Sequence, residues 1–201
     1  MKKLYPPGLI YDWLLEPLLR NIKKKAADSI WRYHLSPCLD ICAGTGVKCG
    51  LIRKMGYLSF GLDLELKMMT YASSQYPDIS FICADAAAIP MKNHSFMGII
   101  FSFSLHNKSP EFRIKMLQEA KRLLCPDGLI IFIDFEQPWN RPSRFGSILT
   151  RSIERLAGNT HYTNGRYFLR QGGLKKFLQN TGLMELERCN IKLASSSIII
   201  A

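Results

Sequence analysis

The chain has 201 residues, 47% hydrophobic and 21% charged, with a formal net charge of +11. That length and balance suit one folded domain with a full core and exclude a disordered segment. The lack of any apolar run of about 18 residues excludes a membrane-spanning helix, and six cysteines without a Cys-x-x-Cys pair exclude a zinc ribbon and read as buried thiols.

The charge is uneven. Residues 37–136 hold ten Lys/Arg against ten Asp/Glu, so the whole excess lies in the flanks. Basic flanks attract anionic partners such as phospholipid head groups or acidic metabolites, or serve solubility alone. The start, Met1-Lys2-Lys3, mimics a secretory leader, but Asp12 and Glu16 interrupt the apolar stretch that follows. The expected location is the cytoplasm, with a peripheral contact to an anionic membrane as a further option.

Residues 9–33 have the period of an amphipathic helix. Ile10, Leu14, Leu18, Ile22, Ala26 and Ile30 recur every four residues, and Pro17 divides or kinks the run. Lys23, Lys24 and Lys25 give it a basic face. It reads either as a lid or membrane-surface helix, or as a helix packed on the domain edge.

From Pro37 strands and helices alternate. Strands are predicted at Cys38–Cys42, Tyr57–Leu62, Ile79–Cys83, Met97–Phe103 and Leu129–Asp134. Helices are predicted at Val47–Lys54, Leu66–Ser74 and Glu111–Leu124, the last capped at Ser109 or Pro110 and stopped by the turn Pro126-Asp127-Gly128. Such alternation implies a parallel sheet with helices on both faces. After Asp134 the rhythm breaks. A basic segment, Arg141–Arg155, forms an insertion of helical character, and Gly172-Gly173 opens a helix to Thr181. Two strands, about Met184–Cys189 and Ser195–Ile200, follow with a short link near Lys192, which suits an antiparallel hairpin.

The most informative stretch is Asp40-Ile41-Cys42-Ala43-Gly44-Thr45-Gly46. A buried strand runs into two glycines spaced one apart, which let the backbone turn tightly into a helix. Such a turn aims N–H groups at a ligand across the strand's carboxyl end. Asp63 ends the second strand, where it suits a ribose diol. Asp85 follows the third. The dinucleotide fingerprint G-x-G-x-x-G fails here, because Cys49 occupies the third glycine position. A pyrophosphate would also meet the Asp40 carboxylate, whereas an ammonium and a sulfonium would not be repelled. The pattern favours S-adenosylmethionine over NAD.

These residues resemble the class I S-adenosylmethionine-dependent methyltransferases, and within them the small single-domain group that includes quinone-biosynthesis and phospholipid methyltransferases. The likeness is good over 37–136 and loose beyond. It rests on Asp40–Gly46, on Gly61-Leu62-Asp63, on Ala84-Asp85-Ala86 followed by Ile89-Pro90, on Ser95-Phe96 through His106, and on Leu123–Gly128. Met97 departs from an acid common in relatives, and Asp127 from a glycine. The resemblance implies an α/β fold, a Rossmann-like three-layer sandwich whose seven-stranded, mostly parallel sheet has an antiparallel last strand. With no internal repeats and no low-complexity stretch, the chain reads as one domain over 1–201: a helical lid at 1–36, a cofactor core at 37–136, a helical insertion at 137–182 and a hairpin at 183–201.

The resemblance also implies roles. Asp63 binds both ribose hydroxyls and Leu64 packs on adenine. Asp85 accepts from the adenine amino group, and the Ala86 N–H contacts the ring. Asp40 and the Ala43–Gly46 backbone, Gly44 and Gly46 included, hold the methionine portion. The cofactor is S-adenosylmethionine, the product S-adenosylhomocysteine, and no metal is called for. Methyl transfer from a sulfonium asks the protein mainly to align the acceptor and exclude water. A base is needed only if the acceptor keeps its proton at neutral pH, and His106, after the fourth strand, is the candidate. Asp40 lies within a buried strand and must have a partner, either the cofactor or backbone N–H groups.

Tyr162, His161 and Tyr167 are candidates for the acceptor pocket, Arg166 and Arg170 for pairing an anionic acceptor, and Tyr11 and Trp13 for closing over the cofactor. The acceptor is expected to be a small molecule or a lipid. No aromatic stacking platform points to nucleic acid. Two alternatives stand beside this reading: a non-catalytic binder on the same fold, and a nicotinamide oxidoreductase.

Overall fold

The computed structural model describes residues 21–138, 159–191 and 196–201, with side chains from 162 in the second stretch. The predictions for residues 1–20 (Tyr11, Trp13 and Pro17 among them), for 139–158, for the His161 side chain and for the link at Lys192 lie outside the described residues.

Seven strands form one sheet in the order β3-β2-β1-β4-β5-β7-β6. They are β1 (Cys38–Ile41), β2 (Ser59–Asp63), β3 (Ser80–Cys83), β4 (Phe96–Ser102), β5 (Leu124–Phe135), β6 (Glu187–Ile191) and β7 (Ser196–Ile200). The first five pair in parallel, and β7 runs antiparallel to both β5 and β6. This is the predicted α/β sandwich, with every predicted strand present.

The helices are α1 (21–32), α2 (Val47–Lys54), α3 (Leu66–Gln75), α4 (Pro110–Leu123), α5 (Asn159–Arg170) and α6 (Gly173–Asn180). Alternating residues of each central strand point to opposite faces. Ile100, Ile131, Ile133, Ile198 and Ile200 meet Ile22, Ala26, Ala27 and Ile30 of α1 and Ile52 of α2. Ile99, Phe101, Ile130, Phe132 and Ile199 meet Met116, Leu117 and Ala120 of α4, Phe168 of α5, and Leu174 and Leu178 of α6. The stripe at Ile22, Ala26 and Ile30 is therefore covered by the sheet. This part of the first predicted helix is a layer of the fold, and its apolar face is not available to a bilayer.

The cap of α4 is as read from sequence: Ser109 Oγ accepts the Phe112 N–H at 3.3 Å and Pro110 opens the helix. The turn predicted at Pro126-Asp127-Gly128 is corrected. The chain passes from α4 into β5 at Leu124, and the extra residues form a bulge in which Phe96–Gly98 of β4 faces Leu124–Leu129. A Cβ on Gly128 would lie 2.9 Å from the Met97 carbonyl oxygen, so the bulge needs glycine there.

β1 and β4 are neighbours, although the chain leaves them toward opposite ends of the sheet. That is the switch point at which open α/β sheets form a ligand crevice. Both strands lead into non-glycine residues in the left-handed region, Cys42 with φ 62° and Phe103 with φ 52°. Strained backbone of this kind gathers at functional sites.

Candidate cofactor and acceptor site

Asp40 is 1% exposed in the middle of the sheet. Its partner is Lys48, on the first turn of α2, whose Nζ lies 3.2 Å from Oδ2. The Cys49 thiol faces the same oxygen at 3.9 Å. Neither partner was read from sequence, although a helix that returns over its own strand places its first turn there. Burial pushes the Asp40 carboxyl above its usual range, and Lys48 opposes that shift. Asp40 Oδ1 is buried with no hydrogen-bond partner.

The turn after β1 departs from its expected form. Its N–H groups do not project freely toward a ligand: Ala43 N donates to Leu62 O at 2.9 Å, Gly46 N to Ala43 O at 3.1 Å, and Gly44 N to Asp63 Oδ2 at 2.9 Å. The two glycines also differ in purpose. Gly44, at φ 56°, has nothing among the described residues within 4 Å of where a Cβ would stand, so its face is open to them. Gly46, at φ 76°, would place a Cβ 2.7 Å from the Phe81 ring, and Gly61 would meet the same ring at 2.5 Å. Gly46 therefore serves the seating of Phe81 between β2, β3 and the turn.

Asp63 links two loops. Oδ2 takes the Gly44 N–H, and Oδ1 takes the Glu65 N–H at 3.1 Å. A carboxylate has about four acceptor positions, so two remain for a pair of hydroxyls. Leu64, next in the chain, is 68% exposed, and Leu66 is 66% exposed. An exposed leucine pair beside a carboxylate offers an apolar platform to a flat ring and an acceptor to its sugar.

Asp85 is exposed and Ala86 buried. Asp85 Oδ1 accepts the Ala87 N–H at 2.8 Å, so it caps its own turn. The segment after it is clamped from α4: Glu119 Oε2 accepts the Ile89 N–H at 2.7 Å, while Arg122 donates to Ile89 O at 2.9 Å and Met91 O at 2.8 Å. Glu119 and Arg122 are themselves paired at 2.8 Å. Sequence reading missed this clamp, whose only local signal is the i, i+3 spacing of opposite charges on α4.

His106, 2% exposed, sits in the loop after β4. Its Nδ1 is 2.7 Å from Asp134 Oδ1, at the end of β5. Asp134 was legible only as the last residue of a strand. Arg113 of α4 donates from Nε to Leu105 O at 2.8 Å and lies 4.6 Å from the centre of the Phe168 ring. Burial lowers its pKa, and the Asp134 charge opposes that. The loop is tied to the predicted insertion, because Asn164 Nδ2 of α5 donates to Asn107 O at 2.9 Å.

The other acceptor candidates lie on α5. Arg166 stacks on Tyr162, and Nη1 donates to its hydroxyl at 3.2 Å. Arg166 and Arg170 line a hollow of about 230 Å3 with Gln137, Pro138 and Leu169. Tyr167 is 45% exposed, and its hydroxyl accepts from Gln171.

A methyltransferase-domain family model matches residues 38–128. A 2-phytyl-1,4-naphtoquinone methyltransferase of Nostoc sp. is 31% identical over an alignment of 166 positions that covers 75% of this chain and 72% of the relative. A demethylmenaquinone methyltransferase of Renibacterium salmoninarum is 28% identical over 151 residues, 74% of this chain and 62% of the relative. In fold, the chain is similar to the magnesium protoporphyrin IX methyltransferase of Synechocystis PCC 6803, solved with bound S-adenosylhomocysteine. The TM-score is 0.64 at 17% identity, with 90% of this chain and 81% of that one covered. The chain belongs to the class I S-adenosylmethionine-dependent methyltransferase family. It spans 62%, 41% and 61% of the quinone methyltransferases of R. salmoninarum, Beutenbergia cavernae and Thermosynechococcus vestitus.

The residues present fit that family's cofactor. The orphaned Asp40 Oδ1 suits an ammonium, the open face at Gly44 leaves room above the turn, and Asp63 keeps acceptor positions beside the exposed Leu64.

Proposed function

We propose that the chain is an S-adenosylmethionine-dependent methyltransferase acting on a small-molecule or lipid acceptor, with an aromatic quinol-type ring favoured by the likeness to quinone methyltransferases. The observation that carries this reading is the Asp63 carboxylate, held by the Gly44 and Glu65 N–H groups at the carboxyl end of β2. When bound, the cofactor supplies a methyl group on a sulfonium, which leaves as the neutral thioether of S-adenosylhomocysteine. Asp63 would hold the ribose, Leu64 the face of the adenine, and Asp85 and Ala86 its edge. Asp40, with Ala43, Gly44 and Gly46 shaping the turn, would hold the methionine end. His106 would take a proton from the acceptor. Residues 37–136 would form the cofactor core, with 1–36, 137–182 and 183–201 completing one domain.

No helix among the described residues is long and apolar enough to cross a membrane. The proposed location is the cytoplasm, with a lipid acceptor met at the membrane surface by the basic flanks. The test has two parts. Calorimetry should show S-adenosylmethionine binding that Asp63→Ala weakens about 30- to 1,000-fold. Label from the cofactor's methyl group should then pass into the small-molecule or lipid fraction of a cell extract. Absence of binding by the unaltered chain would overturn the reading.

A further inference from the structure

Arg113 of α4 is 2% exposed. A guanidinium has five N–H donors. Among the described residues only Nε has an acceptor, the Leu105 carbonyl at 2.8 Å. Nη2 is sealed from solvent without a hydrogen-bond partner. The Phe168 ring covers one face of the group, 4.6 Å from its central carbon.

The acids nearby are committed elsewhere. Burial lowers the Arg113 pKa, and Asp134, Tyr167 and Glu111 oppose that in turn. Asp134 accepts from the Leu105, His106 and Phe135 N–H groups and meets the His106 imidazole. Glu111 is exposed, and its carboxylate is held by its own N–H and by Ser109. A buried cation with one bonded donor is costly unless something else meets the rest, and native interiors seldom leave such donors unmatched.

Arg113 lines a hollow of about 140 Å3 between α4 and the α5–α6 pair. Ile114, Phe168 and Phe177 give it apolar walls, and Gln171 and Asn180 add side-chain amides. Among the described residues that line it, Arg113 is the only charged one. Ile114 is 41% exposed, so the hollow is reached from outside. None of the lining residues is among those proposed to hold the cofactor.

Size and wall chemistry select the ligand. A cavity of about 150 Å3 takes one benzene-sized group. The two phenylalanine rings suit an aromatic body. A carboxylate matches the forked donors of a guanidinium, whereas a cation would be repelled and a doubly charged phosphate would lose its hydration against apolar walls. We propose that this hollow is a binding site for a small aromatic monocarboxylate, whose oxygens accept from the unmatched Arg113 Nη donors while its ring lies among Ile114, Phe168 and Phe177. The same guanidinium holds the Leu105 carbonyl, and the Leu105 and His106 N–H groups hold Asp134. An occupied hollow therefore steadies the loop after β4.

Benzoate is the probe, titrated into the full chain without cofactor by calorimetry and followed in 1H–15N correlation spectra. Saturable binding with a Kd on the order of 0.1 to 1 mM is expected. The amide signals of Leu105, Ile114, Gln171 and Gly173 should move, and those of Gly44 and Glu65 should not. Benzamide, which keeps the ring and lacks the charge, should bind about 10- to 100-fold more weakly, and Arg113→Met should weaken benzoate by the same factor. Ile114→Trp fills the hollow and leaves the guanidinium in place. It should weaken benzoate as much, and it decides if Arg113→Met fails to fold.

No saturable binding up to about 20 mM benzoate overturns the proposal. Benzamide binding as tightly as benzoate overturns the carboxylate, and acetate binding as tightly overturns the ring. Benzoate affinity unchanged in a folded Ile114→Trp overturns the hollow as the site. Movement of the Gly44 and Glu65 signals in place of the others puts the benzoate at the cofactor residues and overturns it as well. The titration holds no cofactor, so a failure of the methyltransferase reading leaves each of these results standing.

Discussion

Lys48 lies 3.2 Å from Asp40, one on the first turn of α2 and the other inside β1, and both are almost fully buried. The pair closes the floor of the site. Its ammonium offsets a carboxylate that burial alone would drive toward its protonated form.

Removing the lysine should expose that balance. In Lys48→Met a buried carboxylate loses its cation, a change that typically costs about 3–5 kcal/mol. The sign with pH follows from the raised Asp40 pKa. A folded-state value above the unfolded one gives a stabilising contribution that is complete below the unfolded value and is lost as pH rises through the folded value. Thermal melts of both proteins should therefore lie close together near pH 4 and diverge toward pH 7. A gap independent of pH would mean that Lys48 acts by packing its stem.

The clamp on the adenine segment rests on a carboxylate whose pKa is shifted the other way. Glu119 is held below the usual carboxylate range, first by hydrogen bonds from Arg122, with burial opposing and the Ile89 N–H assisting. Glu119→Gln should lose about 1–3 kcal/mol at pH 7, the scale of hydrogen bonds to a charged group. A lowered carboxylate contributes above its unfolded value, near 4.3, and ceases to as pH falls through the folded value. The difference from the unaltered chain should shrink on acidification below about pH 4. Urea titrations at pH 7 and pH 3.5 check it.

Gly46→Ala should destabilise through two separable causes. The φ of 76° disfavours any side chain, and the added Cβ meets the Phe81 ring at 2.7 Å. A loss of about 1–3 kcal/mol is expected. Phe81→Leu in the same chain should recover the steric part and leave the conformational part. If the double variant is additive, the two residues do not touch in the way described.

Asp63→Asn separates ribose binding from loop fixing. The amide oxygen can still accept one N–H, but the NH2 cannot accept a second or pair with a diol. Cofactor affinity should fall by on the order of 10- to 100-fold, with a melting temperature within a few degrees of the unaltered chain. Equal affinity would move the ribose elsewhere.

The fold was legible because its signals are local. The apolar runs at Cys38–Cys42 and Met97–Phe103, the Ser109 cap and the glycines after β1 each act within a few residues. Asp63 was legible too, as an acid on the last residue of a strand. What escaped were contacts made by pairing distant segments. Asp134 meets His106 because β4 and β5 lie side by side with Ser102 opposite Ile133, so the residues just past each strand converge. Lys48 meets Asp40 because α2 folds back over β1. The turn's N–H groups looked available because their acceptors, Leu62 and Asp63, belong to the next strand. The bulge in β5 was hidden because Pro126-Asp127-Gly128 has the composition of a turn whether or not the sheet carries on through it.

β7 follows β6 in sequence, yet it lies between β5 and β6. Every one of its residues is buried, and among the described residues it is the only strand that bridges those two neighbours. During synthesis, β5 keeps an unpaired flank and β6 has no place to dock until Ser196–Ile200 has emerged from the ribosome. The isoleucines on α1's side of the sheet stay partly wet until that moment. The nascent chain thus carries an open, sticky margin until β7 is made, and this part of the sheet closes by one insertion between β5 and β6.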